Sequence, residues 1–252
     1  NVSDLKEGEY LVTFTSHNNP SITQIDTIEN KFQFGINQYI KNEDKSKYVK
    51  LTKGLMRLIG YYLAEGHITN IINQVGFSFN KNEKEYIEDC CDLLKEITHR
   101  KISIRHPNAG STQILIHSKE WSSFFELMCG KKQYKHLPYF AWNISKELFL
   151  EILRGYIRGD GYKIGKYAIV VKSVAHQLIR ELVWLCKLND ISCSLFYEKN
   201  KPRILPQGTL FKGSLSYILR ISKSELEINE FNKRRGKFSA FPRDRTIPVD
   251  GL

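Results

Sequence analysis

Leu58-Ile59-Gly60-Tyr61-Tyr62-Leu63-Ala64-Glu65-Gly66 and Leu153-Arg154-Gly155-Tyr156-Ile157-Arg158-Gly159-Asp160-Gly161 are one nonapeptide written twice. Leu, Gly, Tyr and the final Gly recur in register, with an acid before each final Gly, at Glu65 and Asp160. On a helix, Gly60 and Ala64 share one face, as do Gly155 and Gly159. Side chains normally hold packed helix axes about 8–10 Å apart, so these small residues predict two helices packed backbone to backbone. Their C-terminal ends then meet, placing Glu65 beside Asp160. Two close carboxylates repel, and helix C-termini add partial negative charge and unpaired carbonyl groups. A hard divalent cation resolves the conflict: Mg2+, or another such as Mn2+, takes carboxylate and carbonyl oxygens and keeps waters. Such an arrangement suits metal-assisted phosphodiester hydrolysis. A single helix of this kind is a packing device; the doubling in register points to a shared site.

Outward from these stretches the chain repeats itself. Thr52 caps a helix bearing Leu55, Leu58, Ile59, Tyr62 and Leu63 at helical spacing. A strand at Val75–Phe79 follows, then a helix with Tyr86, Cys90, Leu93, Leu94 and Ile97 on one face. Alternating strands at 101–105 and 113–116 precede a helix at 121–128. The second half gives a helix over 145–160, a strand at 167–171 and a helix carrying Leu178, Leu182, Leu185 and Cys186. Strands at 192–198 and 215–221 and a helix at 224–231 complete it. A period near 95 residues is too long for a solenoid repeat and marks an internal duplication. Residues 1–50 read as a β-rich arm with a strand at Leu11–Phe14, residues 51–147 and 148–232 as the two halves, and 233–252 as a basic tail. The run Lys131-Lys132-Gln133-Tyr134-Lys135 with Pro138 punctuates the junction.

Composition narrows the partner. With 38 Lys and Arg against 27 Asp and Glu, the 252-residue chain carries +11 and a pI near 9.3. That excess suits a polyanion, nucleic acid before an anionic membrane surface. No apolar run approaches the roughly 18 residues of a span, and no signal-peptide pattern is present, so no membrane role is expected. The five cysteines form no Cys-x-x-Cys pair, which argues against a disulfide framework or a zinc site and fits a reducing, intracellular setting. A start at Asn1 rather than Met is expected of a fragment or a processed product.

The paired nonapeptides, set in a repeated α/β unit, resemble the two motifs of the LAGLIDADG homing endonucleases in their single-chain form, over about residues 52–232. Tyr61 and Tyr156 replace an aliphatic residue of that pattern, and the acid is Glu in one copy and Asp in the other. The resemblance implies a mixed α/β (α+β) fold of two pseudo-symmetric αββαββα-like halves. Antiparallel β-sheets would form a saddle for double-stranded DNA, with the motif helices packed at the centre of a monomer. It implies Mg2+-dependent cleavage at a long site, with Glu65 and Asp160 as the metal-binding catalytic acids and the carbonyls of Ala64 and Gly159 as further ligands. Lys81 and Lys172, at the ends of the strands after each motif, match the family's catalytic Lys or Gln. Lys163, three residues beyond Asp160, competes for that role or contacts DNA, and Asn80 offers a polar alternative in the first half. Asp4-Leu5-Lys6-Glu7-Gly8-Glu9-Tyr10-Leu11-Val12 resembles a block that precedes intein endonuclease domains. Without an initiating Cys or Ser, or a closing His-Asn, self-splicing is not expected. A cleavage-inactive DNA- or RNA-binding protein of the same fold, such as an RNA maturase or regulator, is the alternative, and a duplicated structural protein the third reading.

Alternating strands turn one face to a core and the other to a partner. The outward sets are Lys101, Ser103, Arg105 and Gln113 in the first half and Ser192, Ser194, Ser216 and Arg220 in the second, with Leu219 and Ile221 inward. Arg and Gln suit guanine and adenine edges, whereas Lys131, Lys132 and Lys212 suit phosphates. The halves differ at nearly every such position, which predicts an asymmetric site.

Overall fold

The structure, a computed structural model, describes residues 24–26, 48–164, 168–200, 202–204, 210–211 and 213–222. The strand expected at Leu11–Phe14, the helix at 224–231, the basic tail and Lys212 lie outside the described residues. A short pair, β1 (Gln24–Asp26) and β2 (Tyr48–Lys50), leads into α1 (Lys53–Glu65), β3 (Gly66–Thr69), β4 (Gln74–Asn80), α2 (Lys84–Thr98), β5 (Ile102–Asn108), β6 (Ser111–His117) and α3 (Lys119–Cys129). The order recurs as α4 (Lys146–Asp160), β7 (Tyr162–Ile164), β8 (Ala168–Ser173), α5 (His176–Leu188) and β9 (Cys193–Asn200). A small hairpin, β10 (Arg203–Ile204) and β11 (Leu210–Phe211), precedes β12 (Ser214–Ser222). Two four-stranded antiparallel sheets result, ordered β3-β4-β6-β5 and β7-β8-β12-β9. The fold is therefore mixed α/β with two related halves. Sequence periodicity missed β3 and β7, because strands of four and three residues are too short to show alternation.

Local chemistry starts both central helices alike. The Thr52 hydroxyl accepts from Leu55 N at 3.1 Å and the Ser145 hydroxyl from Leu148 N at 3.3 Å, satisfying amides that a first turn leaves unpaired. Each helix buries its apolar stripe, including Leu58, Ile59, Leu153 and Ile157, between the sheets and the flanking helices. Phe77 on β4, Phe125 on α3 and Tyr62 on α1 meet as rings, with Tyr62 stacked on Phe125 at 4.4 Å. Such pairs contribute about 0.5–1.5 kcal/mol each beyond the area they bury.

The halves join at α1 and α4. A Cβ on Gly60 would lie 2.2 Å from Ile152 O, and one on Gly155 would lie 2.2 Å from Arg57 O. One on Gly159 would fall 2.3 Å from the Ala64 methyl. The helices thus touch backbone to backbone, as the spacing of small residues predicts. Beside this seam Arg57 donates to Glu151 at 2.7 Å and to Asp89 at 2.9 Å, while Asp89 also accepts from Tyr61 OH at 2.7 Å and Arg158 at 2.8 Å. The Arg57–Glu151 and Arg158–Asp89 pairs cross from one half to the other, so charge as well as shape fixes which helix face meets which.

Gly155→Val is expected to destabilise the protein by about 3 kcal/mol, because backbone oxygen cannot move aside as a side chain can. Gly54→Ala supplies the control. Its Cβ would meet side-chain atoms alone, the tightest being the flexible end of Leu93 (Cδ2) at 3.1 Å, so stability should hold or rise slightly. Denaturant melts of the two variants against the parent chain check both signs.

Candidate active site

Glu65 is the last residue of α1 and Asp160 the last of α4, and both side chains are half-buried. The Glu65 Cγ lies 3.1 Å from where a Cβ on Gly159 would stand, so the two terminal turns are in contact. A third charge faces both. Lys135 is 8% exposed, and its ammonium donates to Tyr62 O at 2.8 Å and Leu63 O at 3.0 Å. It therefore pairs the carbonyl of Leu63 and shares that of Tyr62 with the Gly66 amide, at the negative end of the helix dipole. Its Nζ also lies 5.1 Å from the Tyr62 ring centroid. Burial pulls the Lys135 pKa down to about 8, and Asp160, Cys129 and Glu65 draw it back upward. The buried Tyr156 hydroxyl senses the same pair: burial raises its pKa, and Asp160 and Glu65 raise it further.

Sequence reasoning missed Lys135, which the basic run 131–135 disguised as a linker. The available signal was its neighbour Leu137-Pro138, which turns the end of that run toward the core. It missed His67 too. Following Gly66, His67 pairs with Gly76 across β3 and β4, and a Cβ on Gly76 would fall 2.4 Å from its Nε2. The imidazole thus lies over bare backbone beside the acids, its pKa lowered by burial and by Lys135. Tyr162 follows Gly161 at the corresponding place in the second half.

The donor set suits one kind of metal. Among the described residues no cluster of three or more His, Cys, Asp or Glu side chains could hold a metal ion. Two carboxylates with helix-end carbonyl oxygens fit a hard cation that keeps much of its water, as Mg2+ and Mn2+ do, rather than zinc.

The remaining expected residues scatter. Lys81 is exposed beyond β4, where its amide donates to Gly110 O at the far hairpin. Gly66 pairs with Phe77, so Lys81 stands four residues farther along the strand, about 13 Å from the motif end. Lys172 reaches away from the motif, donating to Glu198 at 3.0 Å and Asn200 at 3.2 Å. Lys163 lies opposite Ile169, on the helix side of β7. Lys131 is paired with Glu126, and Lys132 and Lys101 are exposed. The register keeps Ser103, Arg105 and Gln113 on the open face of the first sheet and Ser194 and Arg220 on that of the second, with Ser192 exposed just before β9. Ser216 corrects the expectation of a surface hydroxyl: it is 3% exposed and accepts from Asn200 at 2.7 Å, bracing the sheet.

No family model matches the chain. Among curated proteins it is 34% identical to the uncharacterized protein MJ1054 of Methanocaldococcus jannaschii, over 52% of this chain and 16% of that protein. It is 30% identical to the DNA polymerase II large subunit of Thermococcus kodakarensis, over 52% of this chain and 7% of that protein. The match therefore spans a small part of these longer relatives. Among solved structures, mesophilic variants of the homing endonuclease I-DmoI superpose with a TM-score of 0.51 at 12% identity, over 70% of this chain and 92% of that chain. I-DmoI in complex with DNA and Mn gives 0.51 at 13% identity, over 71% and 99%. The chain has the two-sheet LAGLIDADG fold of these structures.

Lys135 offers a direct probe of the acid pair. Carboxylates favour its charged form, so in a Glu65→Gln, Asp160→Asn variant its pKa should fall below the native value of about 8. Titration of the Nζ resonance by 15N NMR would check the direction; an unchanged midpoint would place both acids out of its reach.

Proposed function

We propose that the chain is a divalent-metal-dependent endonuclease that cuts double-stranded DNA at a long, asymmetric site, with residues 51–147 and 148–232 each engaging one half-site. The observation that carries the reading is the pair of motif acids at the touching ends of α1 and α4, facing the buried Lys135 ammonium. Glu65 and Asp160, aided by the carbonyls of Ala64 and Gly159, would hold Mg2+ or Mn2+. When bound, the cation polarises a phosphate and lowers the pKa of water. Lys135 places fixed positive charge beside the acids, where it counters their repulsion and stabilises charge that develops on a phosphate. Arg105, Gln113 and Arg220 on the open sheet faces would meet base edges, and the exposed lysines would meet phosphate. Duplex DNA suits such a surface better than RNA, because its major groove admits a β-ribbon whereas that of A-form RNA does not.

Incubation with a randomised duplex library and Mg2+ is expected to yield discrete double-strand cuts, and binding should weaken steeply with salt. Glu65→Gln and Asp160→Asn should each reduce cutting to background while DNA binding persists. Full cleavage by both variants, or affinity independent of salt, would overturn the reading. Preference for RNA with no cutting under any metal would replace it with an RNA-binding protein of the same fold.

A further inference from the structure

The two sheets turn unequal faces outward. On the first, the register that sends Phe77 and Ile114 to the core lines up Arg105, Gln113 and Ser78 in one cross-strand row on the open side. Gln113 reaches Ser78 Oγ only at 3.4 Å, and Arg105 is exposed without an ion pair among the described residues. No residue whose register places it on this face is acidic. The row therefore presents donors and acceptors whose hydrogen-bonding capacity is largely unspent.

The second sheet has used most of its capacity internally. Its face away from the main core carries Tyr162, Val170 and Ile218, a small buried apolar cluster, with Ile164 and Phe196 packed against it. Next to it, Lys172 donates to Glu198 and Asn200, and Asn200 in turn donates to Ser214 and the buried Ser216. A group already paired must break that bond before it can read a base, and little is gained in the exchange. Glu198 would also turn a carboxylate toward a polyanion, and Lys172 serves to cancel it. Arg220, exposed and opposite Ser194, remains as the outward cation of that sheet's described face.

Resting on the DNA-endonuclease reading, we propose that base discrimination is concentrated in the first sheet, with the Arg105–Gln113–Ser78 row as its reader, while the second sheet grips its half-site with little sequence demand. Arg and Gln make the bidentate contacts that separate guanine and adenine from other bases, whereas apolar side chains sense mainly the thymine methyl. One half-site is then strongly specified and the other broadly tolerant.

The test is selection of the full chain on a randomised duplex library in metal-free buffer, followed by sequencing of the bound pool. Information should crowd on one side of the centre. There a single base change should cost about tenfold or more in affinity, against roughly threefold or less on the other side. A joint Arg105→Ala, Gln113→Ala variant should flatten the rich side, while a joint Ser194→Ala, Arg220→Ala variant should weaken binding and keep the profile. Equal information on both sides, or a profile indifferent to loss of Arg105 and Gln113, would overturn the inference while leaving the endonuclease reading intact. A library with no enriched sequence and salt-independent affinity would overturn both.

Discussion

The structure depends on three glycines and an alanine. At Gly60, Gly155 and Gly159 the α1–α4 seam leaves no room even for a methyl group, and the Ala64 methyl fills the space beside Gly159. Close contact of two helix backbones brings two C-termini together, and with them the residues that end the helices. Glu65 and Asp160 are therefore neighbours because of packing a turn or more away. The resulting excess of negative charge is unfavourable on its own. Lys135 offsets part of it at a cost in desolvation, visible in an ammonium whose pKa has fallen to about 8. Packing thus holds together a carboxylate pair that Lys135 only partly neutralises.

Charge and shape divide the work at this interface. The glycine stripes are self-complementary: either copy of the nonapeptide could in principle pack against itself. The ion pairs are not. Arg57 corresponds to Ile152 in the second copy, and Arg158 to Leu63 in the first, so the Arg57–Glu151 and Arg158–Asp89 contacts form only between unlike halves. Partly buried pairs of this kind contribute less to net stability than to specificity, because desolvation offsets much of their attraction. Their effect is to make one arrangement of the duplicated halves better than its alternatives.

Much of this was legible in the sequence, for reasons that differ by element. The central helices announced themselves through periodicity, small-residue spacing and the cap at Thr52. The longer strands did so through alternation, which also assigned Ser103, Arg105, Gln113 and Arg220 to the open faces. β3 and β7 escaped because each is a brief extension of a motif glycine and gains its partner only in three dimensions. The surroundings of Lys135 and Lys172 were hidden for the same underlying reason. A lysine looks alike in any basic stretch, and only tertiary contacts show that one is buried against helix carbonyls and another tied to Glu198 and Asn200. Ser216 had the right parity for an outward residue, but parity gives the face of a sheet and not what lies over it.

Duplication explains why the halves could diverge so unevenly. The seam requires both copies to keep their small residues, since an added side chain in either one strikes the other helix. No such seam couples the outer faces of the two sheets, whose strands pair only within their own sheet among the described residues. One face could settle into an apolar cluster and a closed polar network, gaining stability through burial and satisfied hydrogen bonds. The other keeps Arg105 exposed and a long Gln113–Ser78 contact, groups that contribute little to folding. Stability and recognition make opposite demands on a polar side chain, and a two-sheet protein can meet each demand on a different sheet.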